Sequence, residues 1–103
     1  MAFIAYDLSL QLIREVRPAW VELRAHDVDE AKQLRKATSS ITRNLAEAGG
    51  RRGADRVRFF RYAHGSAIEV RGTLDAAAAW GVELSIPLAT LDRLLGILWS
   101  LTH

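Results

Sequence analysis

The segment from Thr38 to Gly81 constrains the fold more than any other part of the chain, because two helical patterns meet there at a glycine-rich turn. It reads TSSITRNLAEAGGRRGADRVRFFRYAHGSAIEVRGTLDAAAAWG. Apolar residues recur at spacings of three and four on both sides of Gly49–Gly53, which is the period of an amphipathic helix. Glycine readily adopts the left-handed conformation that is common just past a helix end, so we expect the first pattern to stop at Gly49 and Gly50. The segment predicts two helices joined by a short turn.

Similar patterns before and after this pair raise the predicted number of helices to four. Their predicted bounds are about 3–25, 29–48, 54–80 and 85–101. Pro18 removes a backbone donor inside the first helix and predicts a kink or a break there. Asp27 or Asp29 is placed to cap the second helix, and Ser85 with Pro87 resembles the start of the fourth. Short connections favour an all-α, antiparallel up-down-up-down four-helix bundle, formed as a single domain over residues 1–103.

Composition limits the class of protein further. Half of the 103 residues are hydrophobic and a quarter are charged, as in ordered globular domains. The absence of cysteine excludes disulfides, zinc-thiolate sites and thiol nucleophiles, and favours a reducing cytoplasm. Asp7 interrupts the apolar residues at the N-terminus, so no signal peptide is expected, and the nearly uncharged run Leu84–Leu91 is too short to span a membrane. We therefore expect a cytoplasmic protein that has no membrane partner.

Two predicted helices carry more apolar surface than one core requires. The fourth helix has apolar residues over more than a stripe, namely Leu88, Leu91, Leu94, Leu95, Ile97, Leu98 and Trp99. The first helix adds Phe3, Ile4 and Tyr6 to its core-facing stripe. Surplus apolar surface on a small protein is typical of a partner interface, and closed homo-oligomers are the commonest solution. We expect self-association, with completion of a thin core as the alternative.

Two pairs of polar residues share helix faces. They are Asn44 with Glu47 and Ser66 with Glu69, each pair three residues apart. If the two faces meet across the second and third helices, these residues form a polar cluster, with Arg43 or Arg51 neutralising Glu47 from four residues away. We interpret the cluster as hydrogen bonds that fix helix register, and a small functional site is the alternative.

No residue set has the spacing of a catalytic or metal centre. A di-metal bundle uses Glu-x-x-His pairs, and no glutamate here is followed three residues later by a histidine. The serines lack a histidine or lysine base at a recognisable spacing, and Gly49–Gly53 joins two helices rather than a strand and a helix, unlike a phosphate-binding loop. We predict no enzyme activity, no cofactor and no metal.

Basic residues concentrate around the turn between the second and third helices. From Arg35 to Arg71 nine positive residues face three acids, a net charge of +6, while the rest of the chain is net negative. The candidate nucleic-acid-binding residues are Arg43, Arg51, Arg52, Arg56, Arg58 and Arg61. Arginine favours bidentate phosphate contacts, and Phe59 and Tyr62 add base stacking if they are exposed. We predict RNA as the ligand ahead of DNA; the alternative is a purely structural or protein-interaction module whose arginines form ion pairs.

Helices two and three also resemble a known family. The stretches SSITRNLAEAGGRR and RFFRYAHGSAIEVRGTLDAAAAWG are similar to four-helix-bundle proteins encoded in intervening sequences of bacterial 23S ribosomal RNA genes. The positions that carry the resemblance are Ser40, Ile41, Asn44, Leu45, Ala46, Glu47, Gly50, Arg51, Phe59, Ala63, Gly65, Ser66 and Glu69. Two positions depart from it: Ala48 stands where glycine is frequent, and Arg71 where a second glutamate is common.

The resemblance implies an all-helical bundle that assembles, in several members, as a ring-like homopentamer without assigned activity. A related branch, the accessory variability protein of diversity-generating retroelements, implies a basic pentamer that binds a reverse transcriptase and nucleic acid. By this resemblance the expected partners are further copies of the chain, RNA or DNA, and a reverse transcriptase or other nucleic-acid enzyme.

Overall fold

The computed structural model describes residues 2–103, and these contain four α-helices. They are α1 (Ala2–His26), α2 (Val28–Gly49), α3 (Gly53–Ala79) and α4 (Ala89–Thr102). No strand occurs in this part of the chain. The all-α prediction is confirmed, and the first three helices begin and end within one residue of their predicted bounds.

Contacts between the helices define a closed bundle. Each helix packs against two others, in the pairs α1–α2, α2–α3, α3–α4 and α1–α4. The first two pairs are antiparallel because short turns join them. In the α3–α4 pair, Arg71 contacts Asp92 and His64 contacts Trp99, so the later residue of α4 meets the earlier residue of α3. The connectivity is therefore up-down-up-down.

The core is built from one apolar stripe on each helix. Its large side chains that are less than 2% exposed are Leu12, Leu23, Leu34, Ile41, Val70, Leu91, Leu94 and Leu98. Alanines on α2 and α3, among them Ala37, Ala63 and Ala67, are also almost fully buried. Small side chains let the two backbones approach closely, so the core is thin and depends on a few large residues.

Two expectations concern the residue that caps α2 and the effect of Pro18 inside α1. Asp27, rather than Asp29, is the cap of α2, since its Oδ1 accepts a hydrogen bond from the backbone N–H of Glu30 at 3.0 Å. Of the kink or break expected at Pro18, the break does not occur, because α1 runs through this residue. Pro18 and Arg14 are both exposed, so water can replace the hydrogen bond that proline removes.

The glycines that adopt the left-handed backbone conformation are not those expected. Helix α2 ends at Gly49 as predicted, but Gly50 has φ −95° and is not left-handed. The left-handed glycines are Gly53, at φ 58°, and Gly81, at φ 95°. At Gly81 the N–H of Val82 donates to the carbonyl of Ala77 at 2.9 Å, which closes α3 in a Schellman motif.

The predicted start of α4 is wrong. Residues 80–88 form a nine-residue connection, and α4 begins at Ala89 without a side-chain cap from Ser85. Val82, Leu84 and Ile86 are partly buried against the core, while the residues between them are exposed. This period of two is typical of an extended chain. Pro87 also disfavours the helical conformation at the residue before it, Ile86. The segment therefore runs as an extended strap along the bundle before α4 begins.

Candidate nucleic-acid interface

Six arginines lie in or near the turn between α2 and α3: one on α2, two in the turn and three on α3. We call this set the elbow surface; its members are Arg43, Arg51, Arg52, Arg56, Arg58 and Arg61. All are exposed except Arg56, which is half-buried. Between residues 43 and 62 the only acids are Glu47 and Asp55, so this surface has a net charge of +4. The structure places the predicted residues outward, as a polyanion surface requires.

Two of the six arginines already hold carboxylates. Arg51 donates to Glu47 at 3.3 Å and to Asp55 at 3.1 Å, and Arg58 donates to Asp55 at 2.7 Å. The hydrogen bonds that Arg51 donates to Asp55 and Glu47 raise the pKa of Arg51, and the one to Asp55 lowers the pKa of that carboxyl. The guanidinium groups of Arg51 and Arg58 lie over the ring of Phe59, at 4.9 and 5.0 Å from its centre. These contacts order the first turn of α3.

The other four arginines of the elbow surface form no ion pair within residues 2–103. Arg43, Arg52 and Arg61 project from the surface, and Arg56 lies over the ring of Phe60 at 5.5 Å. No side chain caps the first turn of α3, so its free backbone N–H groups add partial positive charge beside Arg52. Four cations and a helix N-terminus are therefore available to an external anion.

Tyr62 is the exposed aromatic residue of this region. Its side chain is 50% exposed and meets Phe59 edge to face, with ring centres 5.6 Å apart. Arg58 lies 6.0 Å from the Tyr62 ring. Phe59 itself is half-buried beneath two guanidinium groups. Of the two aromatic residues considered for stacking, Tyr62 is the accessible one.

The polar cluster expected between α2 and α3 is only partly assembled. Asn44 donates to the hydroxyl of Ser40 at 3.1 Å, and Ser66 donates to the same oxygen at 3.1 Å. Glu47 lies apart from them, exposed and paired with Arg51, and Glu69 is exposed. Ser40 is therefore the residue that joins the two helices, a role the spacing of the four residues did not indicate.

His64 connects α3 to the end of α4. Its ring lies 6.2 Å from Trp99 and 6.5 Å from His103, centre to centre, and Trp99 stacks on His103 at 3.3 Å. Burial lowers the pKa of His64, and the nearby charge of His103 lowers it further. The folded state thus favours neutral His64.

This environment predicts that acid loosens the end of α4. Because the pKa of His64 is lower in the folded than in the unfolded chain, its contribution to stability is complete above about pH 6.5 and is lost as the pH falls below that value. We expect the urea midpoint to fall between pH 7.5 and 5.5, and His64→Leu to reduce this change. The exposed His26 is the control, and a His26→Gln variant with the same reduction would contradict the assignment to His64.

Other site classes find no support in the described coordinates. No group of three or more histidine, cysteine, aspartate or glutamate residues is arranged to hold a metal ion among residues 2–103. None of the described helices is long and apolar enough to cross a membrane.

Comparison with known proteins gives one match. The family model described as 23S rRNA-intervening sequence protein matches residues 2–84, which include α1, α2 and α3 and end within the strap before α4. No curated protein and no solved structure matches the chain.

Proposed function

Because the chain belongs to the family of 23S rRNA-intervening sequence proteins, we propose that it is a non-enzymatic, homo-oligomeric helical bundle that binds RNA through the elbow surface. The observation that carries this proposal is a group of four arginines in and on either side of the α2–α3 turn that form no ion pair within residues 2–103, namely Arg43, Arg52, Arg56 and Arg61. Arginine forks match phosphate oxygens, and the adjacent helix N-terminus adds to the attraction for anions.

The ion pairs of Arg51 and Arg58 are compatible with this role. Both pairs are exposed, so their carboxylates can be exchanged for phosphate oxygens at little cost. Asp55 and Phe59 meanwhile hold the guanidinium groups of Arg51 and Arg58 in place at the start of α3. These two arginines are thus ordered before a ligand arrives, which reduces the entropy that they lose on binding.

Tyr62 favours an unpaired strand as the ligand. An exposed aromatic ring beside cations is typical of proteins that stack single-stranded bases while contacting the backbone. Duplex RNA hides its base faces and offers mainly phosphates and 2′-hydroxyls. The proposed ligand is therefore single-stranded RNA.

Self-association is the second part of the proposal. Ile4 is 42% exposed on α1, and Trp99 is 55% exposed on α4. Large apolar side chains left in water on both helices favour burial between subunits. The family resemblance implies five subunits, and a ring repeats the elbow surface in each of them.

A salt titration tests the proposal. Binding of a labelled single-stranded RNA of about 12 nucleotides is followed by fluorescence anisotropy at several salt concentrations, and the protein's mass is measured by light scattering in the same buffers. With four free arginines per site we expect the logarithm of the association constant to fall with log salt at a slope of about −3. We also expect weaker binding to a duplex of the same length.

Two outcomes contradict the proposal in different ways. If no RNA binding is measured, or if the affinity does not depend on salt, RNA binding through the elbow surface is rejected. An oligomer that gives this result supports the structural or protein-interaction module instead. If light scattering shows a monomer at micromolar concentration, self-association is rejected. The titration then still tests RNA binding by the elbow surface.

A further inference from the structure

The outer seam between α1 and α2 carries a row of three hollows, separate from the face on which Tyr62 lies. The middle hollow, of about 240 Å³, is lined by residues that include Ile13, Trp20 and Arg35. The next, of about 320 Å³, lies between Trp20 and Val28, and the third, of about 410 Å³, lies beside Phe3 near the elbow. We call the row the α1–α2 seam.

Charge along the α1–α2 seam has one sign. Arg17, Arg24, Lys32 and Arg35 line two of its hollows and are exposed, and the half-buried Arg56, which also belongs to the elbow surface, lines the third. None of the five forms an ion pair within the described chain. No acidic residue lines any of the three hollows. The seam therefore offers cations that the protein itself leaves uncompensated.

Trp20 stands between two of the hollows. The guanidinium groups of Arg24 and Arg35 lie over its ring at 5.5 and 5.1 Å. Its indole N–H is buried and has no hydrogen-bond partner among residues 2–103. A buried donor without an acceptor costs free energy, so an occupant that draws the flexible arginines aside and supplies an oxygen is favoured here.

Most residues that line the seam, apart from its cations, are apolar. Ile13, Val16, Val28, Ala31 and Leu45 contribute to the three hollows. The phosphates of a nucleic acid would satisfy the cations but leave these aliphatic side chains uncovered, and the ring of Trp20 lies beneath two guanidinium groups rather than free for a base. An occupant with both an apolar stripe and acidic flanks fits better.

The spacing of the hollows fits a helix. The parts of α2 that line them are centred about 6 and about 9 residues apart, which at 1.5 Å per residue corresponds to about 9 and about 14 Å. An amphipathic helix places apolar side chains on one face about every 5 Å, so every second or third anchor meets a hollow. We propose that the α1–α2 seam is a docking groove for an acidic amphipathic helix of a partner protein.

A designed peptide tests this proposal. The probe is a capped helical peptide of about 18 residues, long enough to span about 27 Å, with leucines on one face and glutamates beside them. The full chain carries Trp80→Phe and Trp99→Phe, so that Trp20 is the only tryptophan and reports binding by its fluorescence. We expect saturable binding with a change in Trp20 emission, and a loss of affinity of about tenfold or more in Arg17→Glu/Arg35→Glu.

Matched controls separate docking from general attraction. Arg14→Glu/Lys36→Glu makes the same charge change at exposed residues outside the seam and is expected to retain peptide binding. A peptide with its leucines replaced by glutamine keeps the charge and is expected to bind weakly. Circular dichroism of each variant establishes that it is folded.

The proposal is overturned by no saturable binding, by equal losses in seam and control variants, or by equal affinity for the peptide without leucines. It is also overturned if the seam variant loses RNA affinity while peptide affinity is unchanged, since the seam would then be part of a nucleic-acid surface. A chain that binds the peptide but not RNA supports the seam and rejects the elbow proposal, so the two failures are distinguishable.

Discussion

Replacing Arg52, Arg56 and Arg61 with glutamine is expected to lower the affinity for single-stranded RNA by about 100-fold or more at low salt. These three arginines form no ion pair within residues 2–103, so their loss leaves no carboxylate unpaired and is expected to preserve the fold. Each phosphate contact contributes about −0.7 to the slope of log affinity against log salt, and the slope is expected to become shallower by about 2. Anisotropy titrations of the variant and the parent chain at matched salt concentrations measure both quantities.

The control for this triple variant is Arg14→Gln/Lys36→Gln/Arg93→Gln. It removes the same charge from exposed positions away from the elbow surface. We expect a loss of less than about tenfold, because distant charges act only through a screened field. Equal losses in the two variants would show that RNA responds to net charge alone and would reject the elbow surface as a site.

The sequence is sufficient to predict the helices whose burial follows a single stripe. Leu12, Leu34 and Val70 lie on such stripes, and each is fully buried. The start of α4 was missed for a physical reason: Ile86 and its neighbours alternate with period two, but the serine and proline beside them also resemble a helix cap. A cap pattern specifies a helix start only if the chain after it is free to turn, and here the strap is held against the bundle.

The candidate site, like the fold, was predicted from the sequence only in part. Local spacing predicted the exposed arginines and a pairing of Glu47 with Arg43 or Arg51, because both depend on one helix and its turn; the structure shows Arg51 as the partner. The α1–α2 seam was not predicted, since it depends on how Trp20 and Arg35 meet across two helices. Ser40 was missed similarly, because its partner Ser66 lies on another helix. Periodicity shows which face a residue occupies, but not which residue of a neighbouring helix lies opposite.

One departure from the family resemblance finds a structural explanation in α4. Arg71 stands where a second glutamate is common, and it pairs with Asp92. A glutamate at position 71 would place two negative charges together at this contact. The Arg71–Asp92 pair therefore joins α3, which the family match covers, to α4, which lies beyond it.

The largest effect on stability is expected from Ile41→Ala. Ile41 is 0% exposed at the centre of α2, and removing three carbons there leaves a cavity between closely packed helices. The expected cost is about 2–5 kcal/mol, a large part of the total of about 5–15 kcal/mol that small domains possess. The control Ile68→Ala deletes the same atoms from a side chain that is 54% exposed, and we expect a change within about 0.5 kcal/mol. Urea denaturation of both variants at one protein concentration measures the difference, because the stability of an oligomer depends on concentration. Similar midpoints for the two variants would mean that the α2 stripe does not form the core, and the bundle as described would be wrong.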